Sequence, residues 1–310
     1  MSVFSKIRDY QKTYGFFKAI PIILKRKKDN KAAKEDMAKL VPFIDKEYSQ
    51  LIEKYKNVKV MDSIPKRIFF FWYDGINNMP DIPRMCYKQI QKLYSNDYEI
   101  IFIDKNNYKN YVTINPDFEV KFNKNEIKIQ HFADVLRFYL MNQLGGIWVD
   151  STVYLPSKID FCPINMDGYY TLITKSTKNF FSYKNNFTCW NSFLFGLSKN
   201  HPISNAMIDL FTKYLLTNNQ APIYFLMDSF LTLLQINNIS CDIMNRFAVK
   251  NELNYNPFYL SNNLSSIGDN SRLAKATNGP QKLNWRISIN KFKSTSLIQK
   301  IYNEVSENEN

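Results

Sequence analysis

The chain has 310 residues, 45% of them hydrophobic, and its 41 Lys and Arg against 28 Asp and Glu give a formal net charge of +13. That length and apolar share support a full buried core and exclude a disordered chain, and no apolar run reaches the roughly 18 to 20 residues needed for a membrane-spanning helix. Cys86, Cys162, Cys189 and Cys241 are widely separated and form no CxxC pair, and His131 and His201 are the only histidines, so a zinc ribbon is excluded and the cysteines read as reduced core thiols.

The first segment, residues 1–28, sets Lys6, Arg8, Lys12, Lys18, Lys25, Arg26, Lys27 and Lys28 against the single acid Asp9, interleaved with Phe4, Tyr10, Phe16, Phe17, Ile22 and Leu24. Apolar anchors mixed with lysines suit an anionic membrane surface, each basic residue adding on the order of 1 kcal/mol. A solvated basic helix packed on the domain is the alternative, and Pro21 argues against one continuous helix. No h-region with a cleavage site is present, so a cytoplasmic protein is expected, peripheral to the inner face of the membrane. Helical spacing continues to about Lys56, and residues 1–60 are read as a basic amphipathic helical segment.

Residues 61–300 read as the main domain and residues 301–310 as a polar tail. Arg67 to Tyr73 is a β-rich apolar run closed by the Asp74-Gly75 turn signal, Ile82 to Tyr94 has helical spacing, and Tyr98 to Ile103 is a second buried strand ending in Asp104. From His131 the apolar positions Phe132, Val135, Leu136, Tyr139, Leu140 and Leu144 form a helical stripe, with Asp134 and Arg137 as neighbours on another face. Gly145 and Gly146 supply the positive φ that ends the helix, and Ile147 to Val149 form a short strand that delivers Asp150 at its carboxyl end. Strands are further expected at 169–173 and 191–196, and helices at 202–216 and 222–235. Strand, helix, strand, helix, strand is the order of a doubly wound α/β sheet, which binds ligands at the carboxyl ends of its strands.

The combination of IPKRIFFFWYDG (64–75) with DVLRFYLMNQLGGIWVDSTV (134–153) resembles the capsular polysaccharide synthesis branch of the glycosyltransferases that carry the DXD sugar-binding motif. That branch is related to the mannosyltransferases of glycosyltransferase family 32 and distantly to clostridial glucosylating toxins. The resemblance implies an α/β fold of the GT-A type, a Rossmann-like nucleotide-sugar-binding fold with an added N-terminal helical segment. It also implies a retaining transferase that moves a hexose from a UDP- or GDP-linked nucleotide sugar donor to a saccharide or lipid-linked saccharide acceptor.

Residue by residue, Trp72 matches the aromatic on which the nucleotide base stacks, a contact worth roughly 1 to 3 kcal/mol; a core tryptophan is the other reading of that position. Asp134 and Arg137 match the pair that holds sugar or ribose hydroxyls, against the alternative of an exposed salt bridge. Asp150 matches the first acid of the DXD motif and so a Mn²⁺ or Mg²⁺ ligand, although the motif here reads Asp150-Ser151-Thr152 and lacks the second carboxylate. Asn191 in CWNSFLFG and Asp228 in YFLMDSFL fall where the family lines its reaction cleft, Asp228 otherwise being a helix-surface residue. In GPQKLNWR, which resembles the closing Lys-Leu-Thr-Trp segment, Lys282 matches a contact to the diphosphate and Trp285 a lid over the donor. Gln281 stands where relatives often carry a histidine. Two other classes fit the chain: a noncatalytic scaffold of a polysaccharide assembly complex, and a basic nucleic-acid-binding protein, for which no zinc finger, RRM signature or helix-turn-helix pattern is present.

Overall fold

The computed structural model describes residues 30–60, 62–161, 167–174, 189–217 and 225–306. The basic segment 1–28, Cys162 and the start of the helix expected at 222–235 lie outside the described residues. Ten α-helices are described: α1 (Asn30–Ile52), α2 (Asp81–Tyr94), α3 (Pro116–Asn123), α4 (Ile129–Leu144), α5 (Pro202–Thr217), α6 (Leu226–Ile236), α7 (Cys241–Lys250), α8 (Tyr259–Asn262), α9 (Asn270–Ala276) and α10 (Leu297–Ser306). The strands are β1 (Arg67–Phe71), β2 (Glu99–Ile103), β3 (Gly146–Val149), β4 (Val153–Tyr154), β5 (Tyr169–Thr171), β6 (Ile173–Thr174), β7 (Leu194–Leu197), β8 (Glu252–Leu253) and β9 (Gln281–Lys282).

The main sheet has the order β2-β1-β3-β7-β5. β1 runs parallel to β2 and to β3, as the β-α-β pattern predicts, with Phe69 opposite Ile101 on one side and Trp148 on the other. β7 runs antiparallel to β3, and β5 antiparallel to β7, so β7 alone is reversed; the sheet is mixed, and the expected doubly wound sheet holds only for its first three strands. The strand expected at 191–196 begins at Leu194, leaving Asn191 in the turn before it, and the strand expected at 169–173 splits between β5 and β6, which pairs with β8 in a separate ladder. α4 packs on β1, β3 and β7 and is itself covered by α5, while α1 lies against α5 and α6. The sheet core is rich in aromatic rings, Phe69, Phe70 and Phe195 being wholly buried.

The turn from α4 into β3 sets the position of Asp150. Gly145 (φ 69°) and Gly146 (φ 137°) both adopt the backbone expected of glycine, and a Cβ on Gly145 would lie 2.7 Å from Pro65 Cδ. Arg67, at the start of β1, donates through Nη1 to the carbonyl of Leu144 at 2.9 Å, so a cation meets the helix C-terminus and ties it to the sheet.

Two expected boundaries move. Leu40, Ile44 and Ile52 of α1 are fully buried, so residues 40–52 belong to the main core and not to a separate N-terminal segment. α10 runs to Ser306 with Ile301 and Val305 buried, so the polar tail is shorter than 301–310.

Candidate functional site

Asp150 follows β3 at the sheet's carboxyl edge, and its N–H donates to Phe193 O at 2.9 Å. Its Oδ1 accepts from Trp148 Nε1 at 2.7 Å and pairs with Arg137 Nη2 at 3.4 Å; its Oδ2 accepts from Lys282 Nζ at 2.7 Å. Lys282 also donates to Thr152 Oγ1 at 2.8 Å. The β4–β9 ladder, which sets Val153 opposite Lys282, carries that lysine across 132 residues of sequence. Burial pushes the Asp150 carboxyl up, but the charges of Lys282 and Arg137 and the hydrogen bonds from Lys282 and Trp148 outweigh it and hold the group below the usual carboxylate value.

Arg137 is not part of an exposed helix pair: it is buried, with Nη2 3.0 Å from Asp134 Oδ1 and Nη1 donating to Ser192 O. Its guanidinium lies 4.9 Å from the centre of the Trp148 ring, a geometry suited to cation–π attraction. The face of α4 that carries the chemistry is therefore itself covered, and the stripe-and-surface picture of this helix gives way to one buried nearly all round. His131 lies beside the site: its buried Nδ1 is 3.9 Å from Asp134 Oδ2 and has no hydrogen-bond partner among the described residues. His201 serves a helix start, its Nδ1 accepting from Ile203 N at 3.1 Å ahead of α5. Burial pushes the His201 imidazole down to about 3, so it is neutral.

Asp228 stands in the first turn of α6, buried, and accepts from Trp190 Nε1 at 3.0 Å. Burial pushes its carboxyl up to about 6; the Trp190 hydrogen bond opposes the rise, the Asp134 charge adds to it, and the Arg137 charge opposes it. Asp134, Arg137 and Asp228 therefore feel one another. The turn 190–193 links all of these groups: Trp190 reaches Asp228, Ser192 O takes Arg137, Phe193 O takes the Asp150 N–H, and the Phe193 ring lies 5.4 Å from Lys282 Nζ. Asn191 sits in this turn, its N–H donating to Thr171 Oγ1 at 2.7 Å.

Trp72 follows β1 as Asp150 follows the parallel β3, so both stand at the same edge of the sheet. Its indole N–H donates to Asn78 O at 3.3 Å, and its ring meets Trp285 edge-on at 5.9 Å and 70°. Trp285 is 42% exposed, with the Arg286 guanidinium 4.4 Å from the centre of its ring. A half-buried indole beside an exposed one offers flat faces for a planar ring at the rim of the charged cluster.

Asp134, Arg137, Asp150 and Lys282 thus meet at this edge, the 190–193 turn ties Asn191 and Asp228 to them, and Trp72 pairs with Trp285. Trp148, Trp190, Ser192, Phe193 and Arg286 were not singled out; the tryptophans of IWVD and CWNS were the available signal, since a buried indole N–H seeks an acceptor.

The Mn²⁺ or Mg²⁺ expected on Asp150 does not fit this donor set. Hard divalent cations need several free oxygens, yet both oxygens of Asp150 face cations or an N–H, and Thr152 Oγ1 already accepts from Lys282. Gln281 is fully buried, its amide spent on Leu260 N and Gly279 O. Among the described residues no group of three or more His, Cys, Asp and Glu is placed to hold a metal ion.

No curated protein matches the chain. Among solved structures, PaToxG Glycosyltransferase is similar at 15% identity, covering 90% of this chain and 97% of its own, with a TM-score of 0.38. The sequence profile of the capsular polysaccharide synthesis proteins matches residues 20–301. The ion-paired cluster at the sheet's carboxyl edge lies within that match, and the chain belongs to the capsular polysaccharide synthesis protein family.

Proposed function

We propose that this protein is a retaining glycosyltransferase of the GT-A type that moves a hexose from a UDP- or GDP-linked sugar to a hydroxyl of a growing capsular or cell-surface saccharide. The observation that carries the reading is the meeting of Asp134, Arg137, Asp150 and Lys282 beside the Trp72–Trp285 pair. Such a site joins a platform for a planar base, cations for a diphosphate, and a carboxylate with guanidinium for sugar hydroxyls.

In this mechanism Trp72 and Trp285 hold the base, Lys282 and Arg137 face the diphosphate, and Asp134 accepts from sugar or ribose hydroxyls. The anomeric C–O bond breaks toward the diphosphate while the acceptor oxygen bonds the same face of the sugar. The acceptor's proton passes to the departing phosphate oxygen, so no histidine base is required. Placement and fixed charge supply the rate, with Asp228 and Asn191 lining the acceptor side.

The test is a thermal-shift series with UDP- and GDP-sugars. One donor is expected to raise the midpoint of the native protein, and Trp72→Ala and Asp150→Asn are expected to lose most of that rise. A chain indifferent to every donor, yet folded, would return the reading to a noncatalytic scaffold.

We further propose that residues 1–28 bring the enzyme to an anionic membrane surface at the cytoplasmic face, where a lipid-linked acceptor would be met. No helix among the described residues is long and apolar enough to cross a membrane. The full chain is expected to sediment with vesicles containing anionic lipid and to be released by deletion of 1–28 with donor binding intact. Equal sedimentation of both chains would refute this.

A further inference from the structure

We infer that Lys282 occupies the place of the divalent ion, so that donor binding and transfer proceed without a metal. This deepens the donor-site reading above and rests on it. An ammonium group carries three N–H donors and no acceptor. Two of those donors are spent within the protein, on Asp150 Oδ2 at 2.7 Å and Thr152 Oγ1 at 2.8 Å. No protein oxygen or nitrogen is found for the third among the described residues, and the side chain keeps 23% of its surface exposed. One N–H therefore remains for a ligand oxygen. The same two side-chain oxygens, one from each end of Asp150-Ser151-Thr152, are those an ion would have to use.

The chemistry of the pair explains why Thr152 suffices. A divalent ion shared between two carboxylates and a diphosphate needs the second negative charge at the third position of the motif. A monovalent ammonium is balanced by the one carboxylate of Asp150 and asks only for a neutral acceptor beside it, which the threonine hydroxyl supplies. A second carboxylate there would leave the lysine outnumbered by anions and draw a divalent ion in. An ion added to the site as it stands would meet the positive charges of Lys282 and Arg137 at Asp150, and the neighbouring Asp134 carboxylate is itself paired with Arg137.

In the sequence, residues 162–166, 175–188 and 218–224 contain no Asp, Glu or His. Lys282 is also held in place from the backbone, because Lys282 N donates to Pro257 O at 2.7 Å and Leu283 N to Thr152 O at 2.8 Å. Its position is thus set before any ligand arrives, as electrostatic stabilisation of a leaving group requires.

The experiment is a calorimetric titration of the full-length protein with UDP and with GDP, each in EDTA and in Mn²⁺, joined to a Mn²⁺ titration followed by electron paramagnetic resonance. One nucleotide is expected to bind with the same affinity in both buffers within about twofold, and Lys282→Met to weaken it by about tenfold or more in both. The native protein is expected to leave Mn²⁺ free, whereas Thr152→Asp is expected to take it up and to make nucleotide binding metal-dependent. Binding that appears only with Mn²⁺, or a Lys282→Met variant that binds as the native protein does, would overturn the inference and leave the donor reading standing. Failure of both nucleotides in both buffers would overturn the donor reading and this inference together.

Discussion

Asp228→Asn is expected to stabilise the fold at pH 8 while removing most of the transfer activity. Burial holds this carboxyl up at about 6, whereas in the unfolded chain it ionises near 4. Below pH 4 both states are protonated and the group contributes no difference. Between pH 4 and pH 6 the unfolded state releases its proton first, so stability falls as pH rises and stays lower above pH 6. The difference of about two pH units corresponds to about 3 kcal/mol. Asparagine keeps an Oδ1 to accept from Trp190 and carries no charge, so its advantage should be present at pH 8 and absent at pH 4. A buried carboxylate with a raised pKa is a candidate for chemistry, and on the proposed function its removal is expected to lower turnover by about 10²-fold, the low end for a positioned acid or base. Urea unfolding at the two pH values with initial rates on the best donor checks both parts. A variant as active as the native protein, or one whose stability gain is the same at both pH values, would remove Asp228 from the site.

Arg137→Met is the second large effect. The guanidinium is nearly fully buried, faces Asp134 and Asp150, and satisfies the Ser192 carbonyl. Methionine has similar length and keeps packing against Trp148, but it leaves two carboxylates and a carbonyl without that cation. Removing one partner of a buried charge cluster costs about 3 to 5 kcal/mol, and the lost cation should also abolish donor binding. Arg137→Lys is expected to recover part of the stability and little of the binding, because an ammonium is a point charge and cannot reproduce the planar fork. Combining Arg137→Met with Asp134→Asn should cost less than the sum of the two, since the second change removes an anion that the first left unpaired. Additive losses would show that the two residues do not act on each other.

The parallel strands β1, β2 and β3, the helices α2 and α4 and the positive-φ glycines before β3 were legible because each is written in local pattern: apolar runs, helical spacing and turn residues. The reversal of β7 was not, because an apolar run reads the same in either direction and only its hydrogen-bonded neighbour decides. Asn191 was placed on a strand for the same reason; LFGL forms the strand, and the preceding Trp190–Phe193 turn is shaped by partners on α4, α6 and β3.

The site divides in the same way. By itself the sequence determined which residue types carry chemistry and which lie on one element: Asp134 with Arg137 by helical spacing, and Asp150 at a strand end. Family membership follows from the same linear pattern. Only the tertiary structure decided that Arg137 is buried, that Asp228 feels Asp134 and Arg137, and that Lys282 reaches Asp150. Spacing along the chain fixes neighbours within a helix or strand, whereas burial and the pairing of charges depend on which distant segments the sheet and the β4–β9 ladder bring together.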